Sequence, residues 1–438
     1  MILNGVLINM EVKKLSNNDS YTDYAYNIIK DISEKFGPRY SSSEAEKNAN
    51  LWIKEEFSKY CDETHLEEFQ TNPNLYPQGI FKVTGFFAGI AFIFMPLIFP
   101  FPILSAIFIA FGLFILFSEL MFMKRWIKFL FKKGISSNVY GIIRPTGEVK
   151  YRVLFEGHMD SAKQMRIAER EGDAPVKIFI LGLIYLFYTL AFSIIKFIIQ
   201  LLMGNAIPEL YRYGIIQLTI IDLFYFVPWL VLYPCFLYLL RGFTGNTVVP
   251  GAADNLSGIA VTAVIGKYLS ENRPKNVEII IASMGSEEIG DRGAKYFVEN
   301  HGDLLENCYS FIIDDAGAGN KLYFIEKDFM HRTTYSPEVI TRMEQAAELY
   351  KKEKPDAATY GKRKIPLGSS DACMYIKGGY KASFMVGVQE SESGNKKISK
   401  PPHWHSVRDT WQNISKKMLK SSIGIALKFV IIVDKEFD

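Results

Sequence analysis

Two pairs of long apolar runs constrain this chain more than any other feature of its sequence. From Val83 to Phe99 and from Ile103 to Met123 the only ionisable side chain is Glu119, and Pro100-Phe101-Pro102 between the runs forbids one continuous helix. A second pair extends from Ile178 to about Met203 and from Ile215 to Leu240, parted by GNAIPELYRYG. Each run meets or nearly meets the ~20 apolar residues that cross a hydrocarbon layer of about 30 Å, the first being the shortest. Two adjacent apolar helices are hard to enclose in a soluble domain, and here the arrangement occurs twice. The pattern predicts four transmembrane helices in two hairpins, 83–123 and 178–240.

Basic residues orient the hairpins. Lys124, Arg125, Lys128, Lys132 and Lys133 follow the second span, and Lys163, Arg166, Arg170 and Lys177 precede the third, whereas the two short loops hold only Arg212. This bias places both termini and every long polar segment on the cytoplasmic side. Lys196 and Asp222 interrupt the second pair towards its non-cytoplasmic ends. The expectation is that Lys196 snorkels to the interface and Asp222 meets headgroups or water, with an intramembrane ion pair as the alternative. The amino-terminal MILNGVLINMEVKK lacks the basic region and cleavage site of a secretory signal and reads as a short strand or a disordered start.

A chain of 438 residues that is 49% hydrophobic can fill a large core, and its net charge of +3 gives no electrostatic case for nucleic acid. Cys61, Cys235, Cys308 and Cys373 are scattered without CxxC spacing, as expected of free thiols in a reducing compartment. Removing the apolar pairs leaves polar segments 1–80, 134–175 and 241–438, which alternate between helix and strand. Helical spacing runs from Tyr21 to Phe36, Glu44 to Lys59, Ser257 to about Ser270, Asp291 to about Asn300, Pro337 to Lys352 and Ser415 to about Val433. NVYGIIRP and YRVLFEG read as neighbouring strands around the turn PTGE, and VEIIIASMG, SFIIDDAG and ASFMVGV as further strands. Gln389 to Pro402 reads as a mobile loop. The alternation predicts an α/β fold, a mixed central sheet with helices on both faces.

In such sheets binding residues gather beyond the carboxyl ends of the strands. His158 and Asp160 follow one strand, Glu287 and Glu288 a second, Asp314 and Asp315 a third; GAADNLSG adds Asp254 at a helix start, and HWHSVRDTW adds His403 and His405. Two histidines with several carboxylates on one sheet edge suit a zinc-type hydrolase, in which one carboxylate bridges two ions about 3.5 to 4 Å apart. A carboxylate not committed to metal must move the water's proton, and Glu287-Glu288 offers one for each duty. HxD, EE and DD are each common by chance. Specificity lies in the ordered set GHMDS, GAADNLSG, GSEEIGDRGAKYF, DDAG, SSDACMYIKGG, HSVRDTWQNI.

That ordered set resembles the M28 family of zinc metallopeptidases, the aminopeptidase and glutamate-carboxypeptidase group, and FGPRYSSSEAEKNANLWI is similar to the family's amino-terminal helix and substrate-side loop. The resemblance implies two divalent ions, zinc by family likeness: His158 and Asp314 would hold one, Glu288 and His405 the other, and Asp254 would bridge them. Glu287 would be the general acid/base, Asp160 would orient His158, Asp371 would lie near the substrate pocket, and Asp409 would support the loop carrying His405. Asp314 precedes Asp315 as ligand by the family's Asp-x-x-Gly, and His405 precedes His403 by His-Ser/Thr-x-x-Asp-Thr; Ala294 stands where the family usually has Ser.

The implied activity is hydrolysis of peptides by an exopeptidase of the aminopeptidase type at the cytoplasmic membrane face, with a peptide substrate and the lipid bilayer as partners and the oligomeric state open. The segment GFTGNTVVPGAA tethers Asp254 to the fourth span. At about 3.3 to 3.6 Å per residue it holds the site within roughly 45 Å of the membrane. The alternatives are an inactive peptidase-like receptor or transporter domain, and a glutaminyl-cyclase-like enzyme with one zinc.

Overall fold

The computed structural model describes residues 19–167, 169, 174–243, 245–366, 368–393 and 396–438. The expectations for the amino-terminal stretch and for Arg170 lie outside these residues. The described residues divide into two units, one drawn from those within 1–73, 133–164 and 247–438, the other from those within 74–132 and 165–246.

Strands in chain order are β1 (Glu63–Thr71), β2 (Gly134–Ile143), β3 (Tyr151–His158), β4 (Glu209–Tyr213), β5 (Ile216–Thr219), β6 (Val277–Met284), β7 (Cys308–Asp314), β8 (Lys321–Asp328), β9 (Thr359–Ile365), β10 (Lys381–Ser393) and β11 (Lys396–Lys400). The first unit is built on a nine-stranded mixed sheet of order β1-β2-β6-β3-β7-β10-β8-β9, with β11 beside β10. Its centre is parallel: β3 runs alongside both β6 and β7, and β7 alongside β10. VEIIIASM and CYSFIID are buried along their whole length, as strands covered on both faces must be. The helices Asp19–Phe36, Ser257–Glu271 and Lys416–Lys435 pack on one another, and Arg292–Asn300 packs with Ala372–Lys377 in a separate group. Helices therefore cover both faces.

Two sequence expectations are corrected here. β2 and β3 are not neighbours, because β6 lies between them, antiparallel to β2 and parallel to β3. The turn PTGE does not close a hairpin: the N–H groups of Thr146 and Gly147 donate to the carbonyls of Pro274 and Lys275, on the approach to β6. Gln389 to Pro402 is not a loop throughout, since β10 continues to Ser393 and pairs with β11 from Gln389↔Lys400 to Ser393↔Lys396.

The second unit holds the apolar helices. Pro102–Leu120, Val176–Met203 and Ile220–Phe243 are long and apolar enough to cross a membrane by length and composition. The helix Gln78–Phe94 has 17 residues, about 26 Å at ~1.5 Å per residue, short of a ~30 Å layer. Of the four expected spans, three are thus matched by helices of sufficient length, and the first, expected to be the shortest, by a shorter apolar helix. The last helix begins at Ile220 rather than Ile215, because β4 and β5 form an antiparallel hairpin around Gly214, whose φ is 57°. The turn of the first apolar pair joins this hairpin: Ile98 N–H donates to Ile215 O at 3.0 Å and Gln217 N–H to Pro96 O at 2.9 Å.

Lys196 does not snorkel, and Asp222 does not face headgroups or water. Both are buried, with Lys196 Nζ 2.7 Å from Asp222 Oδ1 and 2.9 Å from Met95 O. The other carboxylate oxygen accepts from Thr219 N at 2.8 Å and Thr219 Oγ1 at 2.9 Å. Hydrogen bonds on both charges make burial tolerable where an unpaired ion would be costly.

Candidate metal centre

β3 ends at His158, β7 ends at Asp314, and β6 ends at Met284 just before the turn that carries Glu287 and Glu288. Because these strands are parallel, their carboxyl ends share one edge of the sheet. The loop carrying Asp254 reaches that edge because the helix Ser257–Glu271 sits unusually close to the strands. A Cβ on Gly157 would lie 2.6 Å from Ile259 N, and one on Gly258 would lie 2.3 Å from Ile313 O. Ser286, Asp291, Asp315 and His405 adopt left-handed φ values of 61°, 53°, 47° and 49° around this edge. Such values are uncommon outside glycine and accumulate where side chains are aimed rather than merely packed.

Asp254 lies between the two histidines, with Oδ1 3.1 Å from His158 Nε2 and Oδ2 3.3 Å from His405 Nε2. His405 Nε2 is also 3.1 Å from Glu288 Oε2, and His158 Nε2 is 3.8 Å from Glu287 Oε2 and 3.9 Å from Asp314 Oδ1. Three buried or half-buried groupings place ligand atoms within 4.8 Å of one another: His158 with Asp254 and Asp314, Asp254 with Glu288 and His405, and His158 with Glu287 and Glu288. Nitrogen and oxygen donors at about 2.0 to 2.2 Å from a tetrahedral ion stand about 3.4 Å apart, inside the measured spread. Asp314 Oδ1 and Glu288 Oε1 are buried without a hydrogen-bond partner. Buried polar atoms are rarely left so, and a cation would satisfy both. The donors fit divalent zinc-type ions.

Charge is concentrated accordingly. Burial alone would lower the His405 imidazole, but Glu288 and Asp254 outweigh it and hold it at about 10. Burial pushes the Asp314 carboxyl up to about 7, with Asp254 adding to the rise and His158 opposing it. Burial likewise raises Glu287 well above the usual carboxylate range, against the pull of His158.

Asp160 works differently from the expectation. His158 Nδ1 is 3.1 Å from the backbone oxygen of Asp160 and 3.6 Å from its carboxylate. The carboxylate instead accepts from the N–H of Glu287 at 2.9 Å and of Glu288 at 3.2 Å. Asp409 N–H donates to Ser406 O at 3.0 Å within the His405 loop, and its carboxylate also accepts from Ala253 N at 2.8 Å and Asp254 N at 3.1 Å, so it supports the Asp254 loop as well. Asp371 is fully buried beside Glu156 and Asp291. Asp315 and His403 join none of the three groupings among the described residues.

Two positioning residues were missed in the sequence. Glu46 accepts from Ser136 Oγ at 2.7 Å and from Ser286 N at 3.1 Å, bracing the turn before Glu287. Arg39, in GPRY, is wholly buried and donates to the carbonyls of Gly37, Met159, Pro250 and Gly251 at 2.7 to 3.0 Å. It thereby joins the loop after His158 to the loop before Asp254. Their sequence cue was slight, a charged residue within the stretch FGPRYSSSEAEKN.

Residues 242–430 match the family model described as Peptidase family M28, a span that includes Asp254, Glu287, Glu288, Asp314 and His405. No curated protein matches the chain. Among solved structures, a glutaminyl cyclase from Porphyromonas gingivalis aligns at 14% identity with a TM-score of 0.53, covering 94% of this chain and 98% of that one. A Zn-dependent exopeptidase from Parabacteroides distasonis aligns at 13% with a TM-score of 0.51, covering 93% and 97%. BSAP, a zinc aminopeptidase from Bacillus subtilis, aligns at 13% with a TM-score of 0.50, covering 94% of each. The chain shares the fold of these three proteins, two of them zinc enzymes.

Proposed function

We propose that this protein is a membrane-anchored metallopeptidase that binds two divalent ions, zinc foremost, and hydrolyses peptide bonds as an exopeptidase at the cytoplasmic face. The observation that carries the reading is Asp254 between two histidines, each with its own further carboxylate partner. His158 and Asp314 would hold one ion, Glu288 and His405 the other, and Asp254 both. When bound, the ions supply Lewis-acid charge that activates water and polarises a substrate carbonyl.

The chain's own residues do the rest. Glu287 Oε2 takes the proton of the attacking water and returns it to the leaving amine. Asp160 fixes the direction of Glu287 and Glu288 through their backbone N–H groups. Asp409 and Arg39 keep the Asp254 loop at the strand ends.

The test is metal content per chain together with peptide turnover, with and without Glu287→Gln. At least two ions in both proteins and hydrolysis lost only in the variant is the expected result. One ion per chain, with an amino-terminal glutaminyl peptide cyclised rather than hydrolysed, overturns it in favour of the cyclase reading. Ion binding with no chemistry on any peptide supports a receptor domain instead.

A further inference from the structure

A second set of ligand atoms lies behind Glu287, outside the centre just described. Asp291 stands immediately before the helix Arg292–Asn300, His331 follows β8, and Cys373 lies in the short helix Ala372–Lys377. Their ligand atoms all fall within 4.8 Å of one another. Cys373 Sγ is 3.4 Å from Asp291 Oδ2 and 3.8 Å from His331 Nδ1. The three residues are buried, with 2%, 6% and 0% exposure for Asp291, His331 and Cys373. They come from three separate elements, so sequence proximity does not explain their meeting.

The spacing is that of a coordination shell. With metal–sulfur bonds of about 2.3 Å and metal–nitrogen or metal–oxygen bonds of about 2.0 to 2.1 Å, tetrahedral ligand pairs that include sulfur stand about 3.5 Å apart. Both measured edges lie near that value. The surroundings are acidic: Glu156, Glu287 and Asp371 act electrostatically on or with Asp291, and Asp328 with Cys373, while Lys377 and Arg292 supply the opposing charge. The His331 segment is also braced, since His331 N–H donates to Asp328 Oδ1 at 2.6 Å and Tyr335 OH to Asp328 Oδ2 at 2.9 Å.

We propose that Asp291, His331 and Cys373 form a further cation site, selective for borderline-soft divalent ions of the Zn2+ and Co2+ class and separate from the centre around Asp254. The donor types set the class. A thiolate and an imidazole favour zinc-like ions, whereas Mg2+ and Ca2+ prefer shells of oxygen. Asp291 N–H donates to the carbonyl of Glu287 at 2.8 Å, so this site adjoins the turn that carries Glu287.

Cobalt titration of the full-length, metal-depleted protein tests the proposal. The centre around Asp254 offers only nitrogen and oxygen, so a thiolate-to-cobalt charge-transfer band reports this site alone. The expected result is a band whose full intensity corresponds to one thiolate-bound cobalt per chain, whatever cobalt the Asp254 centre takes up beside it. It is lost in Cys373→Ala, where Cys61, Cys235 and Cys308 remain as internal controls, and it persists in Glu288→Gln. His331→Asn, which keeps the thiol, lowers cobalt affinity at the band at least tenfold. Absence of the band while the protein takes up cobalt elsewhere overturns the proposal, as does a band undiminished in Cys373→Ala or unweakened in His331→Asn. Peptide hydrolysis measured in parallel separates failure of this site from failure of the peptidase reading.

Discussion

Asp160 accepts hydrogen bonds from the backbone of both Glu287 and Glu288, and an amide in its place can accept only one of them. Asp160→Asn should therefore lower kcat/KM at least tenfold with metal content retained, which steady-state kinetics beside metal analysis would show. The charges of the centre also set a pH dependence. In metal-free protein, Asp314 rises from its ordinary 3.8 to about 7 and His405 from 6.5 to about 10. Both groups bind protons more tightly when folded, so each stabilises the fold below its ordinary value and loses that contribution as pH climbs to its folded value. Metal-free protein should thus lose thermal stability progressively from pH 4 to pH 10. With ions bound the imidazoles are already neutral ligands, and the loss should flatten. A melting series at fixed ionic strength, with and without zinc, checks the sign.

At the scale of elements, the parallel strand ends were legible because long apolar runs broken by His-x-Asp, Glu-Glu and Asp-Asp mark both the buried strand and its mouth. β1, ETHLEEFQT, and β9, TYGKRKI, escaped notice because edge strands carry charge that masks alternation. The insertion of β6 between β2 and β3 was illegible for another reason: neighbours in sequence usually pair, and only the ladders that β6 forms with both strands decide otherwise. Arg39, Glu46 and the carboxylates of Asp160 and Asp409 serve backbone groups far away in the chain, for which no residue pattern exists. The pairing of Lys196 with Asp222 depends on the rotational phase of two helices, which hydropathy does not report. Asp222→Asn leaves the buried ammonium uncompensated and should cost about 3 to 5 kcal/mol, seen as a lower melting temperature in detergent. Changing both residues to apolar ones of similar volume should recover most of it.

For the whole molecule, residues 74–132 and 165–246 form a unit of their own, and the unit holding the candidate metal centre is assembled from what remains. Replacing both segments by short polar linkers should leave ion binding and turnover of soluble peptides within about threefold if the hairpins only anchor, a difference of about 0.6 kcal/mol. If they present membrane-lying peptides, the preference for lipid-embedded over soluble substrates should vanish in that variant, as paired assays in vesicles and free solution would reveal. His158 precedes the second apolar pair, whereas Asp254, Glu287, Glu288, Asp314 and His405 all follow it. A ribosome therefore makes the first histidine before that pair and the last one well after it. A chain that stops at the end of that pair thus carries only one of the six residues assigned to the proposed centre.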